Sequence, residues 1–507
     1  MTYLEYTLFS TEYGSHYLYS VKRNQLLLLH PILHFLLSLK QKNTVFTEFI
    51  KSINKSGIDI DGYGNCSKKI LLYYYEKMKF LDDQEFLEPV DTEKRINYRL
   101  NGQDIRSALA NSTHLTFEVT EKCNLHCDYC IYGKYYEDYE PRDKRDLHVE
   151  IARRVLEYMF PLWNSDLNLS YNNMLMIGFY GGEPLLRMPF IEEIVRFVKM
   201  NEKCRQYFSF SLTTNGLLLD RYMDFLVENN FKLLISLDGN KKNNEYRFKS
   251  NTDLFEKLIT NITTLKAKYP EYFESQVSFN AVLHNKNSFA EIYEFFKTTF
   301  DKNPGISTLA PVGIKPGEKE NFLSIYKNLY ESKIAAGKNS LTYDKDTLSG
   351  EIADAVHLLH KCSGYVFKRY DELLNPDQNK ISIPSGTCIP FSKKIFITAT
   401  GKILPCERIG HHYALGTVDT KNVELDFEKI AEHFNCELDK IQKSCNRCSH
   451  IQFCPNCIYY MDHENEKLKC DDLLTPIDFS RHLSSIFSYL EKEPGLYQKA
   501  ITGVVSL

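Results

Sequence analysis

Cys123, Cys127 and Cys130, in the run FEVTEKCNLHCDYC, offer three thiolates at the spacing Cys-x3-Cys-x2-Cys on a loop directly after an apolar, strand-like segment. Four-iron clusters are normally held by four Cys thiolates. A triad therefore leaves one iron without a protein ligand, and an open position on a metal is where an exogenous molecule can bind and react. Zinc sites usually space cysteines as Cys-x2–4-Cys and answer them with a second pair, which this segment lacks. The spacing points to a cluster with an open iron.

Further motifs close other strand-like segments. GFYGGEP brings Gly181, Gly182, Glu183 and Pro184 after MLMIGFY; SFSLTTNG ends at Thr213, Thr214, Asn215 and Gly216; LLISLDG ends at Ser236, Asp238 and Gly239. In barrels of alternating strands and helices, the C-terminal ends of the strands are where active sites are built. A single Gly-rich turn after a strand is common, but these motifs in this order are specific. Together they resemble the radical S-adenosylmethionine (SAM) superfamily, whose cysteine loop carries an aromatic residue where Tyr129 stands.

The resemblance implies that the free iron chelates the amino and carboxylate groups of SAM. Tyr129, Gly181, Gly182, Glu183 and Pro184 would line the cofactor, the glycines allowing close backbone approach. Thr214, Asn215, Ser236 and Asp238 would bond its ribose and carboxylate. One-electron reduction would yield methionine and a 5′-deoxyadenosyl radical, the protein aiming it and excluding water and oxygen. The family pattern after Asp-Gly often continues with a His-Asp pair and an Arg. Here NKKNNEYRF supplies Glu245 and Arg247 but no His, so a substrate contact carried by that pair is not expected.

A second cysteine set lies in the C-terminal third: Cys388, then Gly401 and Cys406 in TATGKILPCERIG, then Cys445, Cys448, Cys454 and Cys457, and finally Cys470. The set resembles the SPASM extension, although two residues, not three, separate Cys454 from Cys457. The resemblance implies two auxiliary four-iron clusters, for three [4Fe-4S] clusters in all. Cys445, Cys448, Cys454 and Cys470 would hold the outer auxiliary cluster, and Cys388, Cys406 and Cys457 the inner one. Its fourth ligand would be Cys362 or a substrate thiolate. A zinc ribbon is the competing reading of the Cys-x2-Cys pairs, and the upstream Cys388–Gly401–Cys406 element fits it poorly. Glu407 occupies the place of an acidic base in sulfatase-maturating relatives, which have Asp there; it is either that catalytic base or a supporting carboxylate. Cys66, Cys204 and Cys436 fit no motif and read as ordinary buried thiols.

The elements that must position these residues follow from periodicity. Between 114 and 312, strand-like LTFEVT, MLMIGFY, YFSFSLTT, KLLISLD, SQVSFNAVL and ISTLAPV alternate with helix patterns over Leu147–Phe160, Phe190–Met200, Asp220–Glu228, Leu254–Lys268 and Phe289–Phe300. Such alternation predicts an α/β fold with a parallel sheet, and the resemblance makes it a partial (β/α)6 barrel with a lateral mouth. Before it, residues 1–100 read as short strands and three amphipathic helices, the first opening at Pro31. They suit a winged-helix-like α+β domain that takes a leader peptide as an added strand. Residues 101–113 read as a polar linker, 313–384 as a helical bridge, 385–475 as the Cys-rich SPASM domain and 476–507 as a helical tail.

The chain has 507 residues, 43% apolar and 25% charged, with a formal net charge of −4. That composition is ordinary for a globular protein and offers no basic stripe for nucleic acid. MTYLEYTLFS lacks the basic and apolar regions of a secretory signal, and LLLLHPILHFLL is too short to span a bilayer. Fourteen cysteines without a signal read as metal ligands in a reducing, anaerobic cytoplasm. The expected activity is radical SAM maturation of a ribosomally made precursor peptide bound through its leader. Its chemistry would be an oxidative crosslink, thioether or another side-chain link, with a flavodoxin- or ferredoxin-like electron donor. The alternatives are a formylglycine-forming anaerobic sulfatase-maturating enzyme, a peptide epimerase, and a non-catalytic iron–sulfur scaffold that would keep the clusters without the SAM motifs.

Overall fold

The computed structural model describes all residues except 1–2, 5, 43, 54–56, 92–94, 97, 140–142, 170–173, 202–206, 250–251, 330, 333–354, 357, 360–385, 450, 455, 462–469, 471–474, 493–494 and 499–507. The chain divides into two compact units, one drawn from Met1–Tyr98, Tyr343–Thr387 and Glu437–Leu507, the other from Arg99–Thr342 and Cys388–Cys436.

The second unit is built on the predicted alternation. Its strands β1 (His114–Thr120), β2 (Met174–Gly181), β3 (Tyr207–Thr214), β4 (Lys232–Ser236), β5 (Val277–Leu283) and β6 (Gly305–Thr308) lie side by side in sequence order, all parallel. Helices α1 (Val149–Trp163), α2 (Met188–Met200), α3 (Leu219–Glu228), α4 (Thr252–Lys268) and α5 (Phe289–Phe300) fall between successive strands. Beyond β1 the sheet continues into β7 (Ile395–Ile397), parallel to β1 through Ile395 opposite Leu115. An antiparallel meander follows: β8 (Lys402–Leu404), β9 (Gly416–Val418) and β10 (Val423–Leu425).

Successive side chains in a strand point to opposite faces, and here the two faces differ in chemistry. Leu115, Phe117 and Val119 of β1, Leu175, Ile177 and Phe179 of β2, and Phe210 and Leu212 of β3 are buried. Phe117 meets Phe190 of α2 edge to face, so this is the helix-covered side. The alternate positions carry mainly polar or small residues, Thr116 and Glu118, Gly178 and Tyr180, Ser209, Ser211 and Thr213, Ser236, and Asn280, with Met176, Leu234 and Val282 the apolar exceptions. Parallel strands covered on both faces read as continuous apolar runs. The polar alternation means that the inner face of this sheet is not packed with apolar side chains. It is the wall of a site.

The predicted linker over 101–113 is in fact folded. Gly102–Ala110 is a helix, started by Asn101, which accepts from the backbone N–H of Gln103 and Asp104 in a capping box with the Asp104 side chain. The polarity that suggests a linker is the capping chemistry; Ile105, Leu109 and Ala110 form a buried stripe beneath it.

The first unit begins with an antiparallel sheet of Thr7–Ser10, His16–Ser20 and Gln25–Leu29, in that order. Helices Pro31–Gln41, Phe46–Ser52 and Lys68–Asp83 follow, with the hairpin Ile58–Ile60/Gly64–Cys66 between the last two. Val90–Asp91 returns to pair with Tyr3–Leu4. The helix Pro476–Lys492 lies against Thr7–Ser10, where Ser480 and Ser484 donate to the carbonyls of Leu8 (2.9 Å) and Ser10 (2.6 Å). One sheet edge is thereby covered, and Gln25–Leu29 is the other edge among the described strands. The expectation of one SPASM domain over 385–475 is corrected too: Cys388–Cys436 belongs with the barrel, through the pairing of β7 with β1, and the later cysteines with the N-terminal unit. The bridge expected at 313–384 falls mostly outside the described residues; within it Lys319–Ile325 is helical.

Candidate functional site

The cysteine triad leaves the C-terminal end of β1 on a loop tied down by its own backbone. Leu125 N–H points to Cys123 Sγ at 3.4 Å, Cys130 N–H donates to the Cys127 carbonyl, and Gly133 N–H to the Cys130 carbonyl at 2.7 Å. Burial pushes the Cys127 thiol up to about 12; Arg247 opposes the rise, and Cys130, Asp238 and Cys123 add to it. The triad therefore comes together, at the foot of Asp238. Among the described residues no three His, Cys, Asp or Glu side chains converge on a point that could hold a single metal ion. Thiolates that each take a separate iron of a cluster need no such point.

The GGEP turn is stitched to that loop. Gly182 N–H donates to the Thr120 carbonyl (2.7 Å) and Glu183 N–H to that of Lys122 (2.9 Å). Gly181 has φ +125°, and a Cβ on Gly182 would stand 2.0 Å from the Lys122 carbonyl oxygen. The glycines are required because two backbone segments touch here, and the Gly182 N–H is already used within the protein. Glu183 is fully buried and accepts from Thr214 Oγ1 (2.8 Å), Asn215 N–H (2.8 Å) and Leu185 N–H (3.1 Å). Burial raises its carboxyl to about 7 against those three donors. Asn215 reaches on with its amide to Asn124 Oδ1 (2.7 Å) and toward Cys123 Sγ (3.9 Å). The motifs GGEP, TTNG and CNLHC thus form one hydrogen-bonded ring of loops. In it the Thr214 hydroxyl is spent on Glu183 and Gly216 N–H.

Asp238 anchors the other side. It is fully buried and accepts from Arg247 Nη2 (3.0 Å), Val282 N–H (2.9 Å) and the Tyr129 hydroxyl, with His284 Nε2 at 3.7 Å. Burial works to raise its carboxyl, yet Arg247, and next His284, hold it below the usual carboxylate range. Tyr129 is pinned by Asp238, with the Arg247 guanidinium 5.5 Å from its ring centroid and the His284 ring at 5.7 Å. Ser236 ends β4 opposite Asn280, and Pro184 opens the turn Pro184–Arg187. The sequence reading missed His284. It stands directly after β5, and a polar residue at the C-terminal end of a barrel strand was the available signal.

Residues 117–299 match the family model described as the Radical SAM superfamily. This chain carries a radical SAM domain. Relatives that share it are enzymes. The chain is similar to a cysteine-type anaerobic sulfatase-maturating enzyme of Clostridium novyi, 27% identical over 354 residues, 68% of this chain and 84% of that one. It is also similar to the radical SAM cyclopropyl synthase TigE of Paramaledivibacter caminithermalis, 24% identical over 368 residues, 65% of this chain and 71% of that one. A solved structure, "Native anSMEcpe with bound AdoMet", aligns at TM-score 0.47 and 19% identity over 76% of this chain and 98% of that one.

A radical SAM domain implies one four-iron cluster and SAM, and the donor set fits both. Three mutually close thiols lie beside a ring of loops whose inner side is the polar face of the sheet. The remaining cysteines divide between the units. Cys406 is pushed up to about 12 by burial and then by Glu407, and the half-buried Cys388 precedes β7 in the same unit. Glu407 accepts both bonds of Lys394 Nζ (2.9 and 3.0 Å), which holds its carboxyl low although burial works the other way. In the first unit burial, and then the charges of Cys454, Cys448 and Cys470, push Cys445 up to about 12. Beside them the buried Arg95, unnoticed in the sequence, donates to the Cys448 carbonyl at 2.6 Å. Cys457 is half-buried just before Ile458–Tyr460. Cys362 and Cys204 lie outside the described residues. Cys66 is buried as expected, whereas Cys436 is exposed, on the solvent side of the helix Phe427–Cys445.

Proposed function

We propose that this chain is a radical SAM maturase of a ribosomally made precursor peptide, installing an oxidative crosslink. The observation that carries the reading is the polar, partly exposed inner face of β1–β5 beneath a ring of loops holding three thiols. An open polar wall suits a peptide backbone better than an apolar small molecule. The sulfatase-maturating and cyclopropyl-synthase relatives support it.

When bound, the cluster and SAM supply a 5′-deoxyadenosyl radical able to take one hydrogen atom from an unactivated carbon. Cys123, Cys127 and Cys130 would hold that cluster. The Glu183–Thr214–Asn215 stitching fixes the loop that carries them, and the Asp238–Arg247–His284 set fixes Tyr129 beside it. Closing a link then requires a proton and an electron to leave the peptide. Glu407 is the candidate proton acceptor. Cys445, Cys448, Cys454 and Cys470, with Cys388, Cys406, Cys457 and Cys362, would hold auxiliary clusters able to accept that electron. A leader segment would add to the sheet at Gln25–Leu29, where Leu28 is 69% exposed. A flavodoxin- or ferredoxin-like protein would deliver the starting electron.

The second reading is formylglycine formation, favoured by the Clostridium novyi relative, of which the chain covers 84%. Anaerobic co-expression with the short open reading frame nearest its gene separates the readings. A peptide lighter by two hydrogens per link, unchanged with Cys123→Ala/Cys127→Ala/Cys130→Ala, supports crosslinking. Conversion of a Cys or Ser to an aldehyde supports the second. An unmodified mass with inverted stereocentres would mean epimerisation.

A further inference from the structure

The chain that leaves the cysteine triad does not pass directly to α1. Residues 131–139, IYGKYYEDY, first run as a strap across the same unit. At its start Gly133 N–H donates to the Cys130 carbonyl (2.7 Å). Along one side the strap joins the segment after β6. Glu137 N–H donates to the Gly313 carbonyl (2.9 Å), Lys315 N–H to that of Tyr135 (2.8 Å), and the Tyr136 hydroxyl to that of Ala310 (3.1 Å). Tyr135 and Tyr136 are buried there, edge to face with Phe322. On the other side the strap meets the loop after β8. The Tyr139 hydroxyl donates to the Arg408 carbonyl (2.8 Å), and His411 N–H donates to the Asp138 carbonyl (2.9 Å).

Two glycines make room for this crossing. A Cβ on Gly313, which has φ +67°, would overlap the Asp138 carboxylate, and one on Gly410 would stand 2.9 Å from Asp138 Cβ. Asp138 is thus clasped between two segments far apart in the sequence, an approach that only residues without side chains allow. The strap carries this fixed position to the second cysteine pair of the unit. Arg408, whose carbonyl Tyr139 holds, donates its own N–H to Cys406 Sγ (3.4 Å). Glu407 lies between them, its carboxylate gripped by Lys394 at 2.9 Å. Lys394 therefore fixes the carboxylate, and Tyr139 fixes the backbone that carries it. The Tyr139 ring also packs against Tyr132 and His411, each at 5.6 Å between centroids. Loss of the hydroxyl alone would leave the ring held.

We propose that Tyr139 is a positioning residue, holding the Cys406–Glu407 turn, through the Arg408 carbonyl, at a fixed place relative to the Cys123–Cys127–Cys130 loop. The proposal rests on the peptide-maturase reading and adds how its two stages stay aligned: hydrogen removal at the triad, and proton loss to Glu407. A misplacement of about 1 Å, caused far from the chemistry, can slow a step about a hundredfold. A turn released from Tyr139 slows the second stage and leaves the first intact. A peptide radical not linked in time takes an electron from the assay reductant and a proton from water, and returns to the starting peptide. 5′-Deoxyadenosine then accumulates without product.

The test uses the reconstituted full-length enzyme, anaerobically, with SAM, dithionite and the precursor peptide. Two quantities are read: crosslinks formed per 5′-deoxyadenosine, and hydrogen exchange across Arg408–His411. Tyr139→Phe is expected to lower the ratio about tenfold and to speed that exchange about tenfold. Its 5′-deoxyadenosine formation should stay within twofold of wild type. Tyr136→Phe, which removes a bond of the same strap on the β6 side, should leave the ratio unchanged. A merely structural loss would lower crosslinks and 5′-deoxyadenosine together, keeping their ratio. A ratio within twofold of wild type in folded Tyr139→Phe would therefore overturn the proposal, whatever the exchange. Should Tyr139→Phe fail to load iron, Gly410→Ala, whose methyl would press on Asp138, carries the same expectation. Wild-type enzyme that forms 5′-deoxyadenosine at one rate with or without the peptide would instead overturn the peptide-maturase reading. The exchange across Arg408–His411 would then decide whether Tyr139 holds the turn.

Discussion

Arg247 and Asp238 form a buried ion pair at 3.0 Å, both side chains almost wholly removed from solvent. The pair lies beneath Tyr129, which belongs to the cysteine loop, and beside His284, which follows β5. It ties the loop that carries the thiols to two strands that follow much later in the chain. Removing one partner of a buried pair leaves an uncompensated charge, at about 3–5 kcal/mol. Arg247→Met should therefore cost stability on that scale, read by denaturant melts, and should lower iron incorporation. A stability loss within about 0.5 kcal/mol would mean that the pair is solvated and the loop held otherwise.

The same pair sets an acid limit. The folded-state carboxyl of Asp238 is held below its unfolded value, so its contribution is fully present above about pH 4. It is lost as pH falls through the lower, folded value. Arg247→Met should abolish that acid limb or reverse its sign, because burial, no longer opposed by the guanidinium, then raises the carboxyl.

Glu183 behaves oppositely. Its carboxyl is raised to about 7 by burial, so the native state prefers it protonated. Stability attributable to it should fall as pH rises from about 4.3, the unfolded value, toward 7, and level off above. Glu183→Gln should abolish that slope. It should also cost about 1–3 kcal/mol, since a Gln amide would turn a donor toward Asn215 N–H, Leu185 N–H or the Thr214 hydroxyl. Circular-dichroism melts across pH 4–8 read both effects.

Gly182→Ala should displace the cysteine loop, because the new methyl would meet the Lys122 carbonyl. The expected result is a soluble protein with reduced iron and absent low-temperature signal from the SAM-binding cluster, the auxiliary signals remaining. Full iron content would contradict the close approach.

Lys394 keeps Glu407 ionised well below neutrality. If Glu407 accepts the proton during linkage, Lys394→Met should move the acid limb of the activity–pH profile upward, whereas SAM cleavage without peptide should not move. An unmoved limb would make Glu407 a supporting carboxylate only.

Arg95→Met should act in the other unit. The guanidinium fastens the Cys448 carbonyl and places positive charge beside the Cys445 group, so its loss should lower iron content by up to one cluster and spare the SAM-binding cluster's spectrum. Iron analysis together with electron paramagnetic resonance distinguishes the two sets.

Much of the barrel was legible because its strands alternate: YFSFSLTT shows apolar outer and polar inner positions directly, and each of the first four strands is punctuated by a motif. The helix bounds Phe289–Phe300 follow from the apolar stripe, and the structure adds Ser288 as the cap, accepting from Glu291 N–H. What the sequence concealed is long-range. Nothing local marks Ile395 as the partner of Leu115, so the division of the C-terminal cysteines between two units was not foreseen. Arg95 and His284 carry no motif, and their roles arise only where distant backbone meets them. The capping residues Asn101 and Asp104 are visible in the sequence, but their polarity reads equally as a linker until the helix they start is seen.

The central claim is that a peptide carbon gives its hydrogen to a radical generated at the Cys123–Cys127–Cys130 site. The most direct measurement is deuterium content of 5′-deoxyadenosine after anaerobic turnover with SAM, reductant and the deuterated precursor peptide. Deuterium should appear with the wild-type chain, and no 5′-deoxyadenosine should form with the triple Ala variant. 5′-Deoxyadenosine that forms at the same rate with or without the peptide, and free of deuterium, would contradict the account.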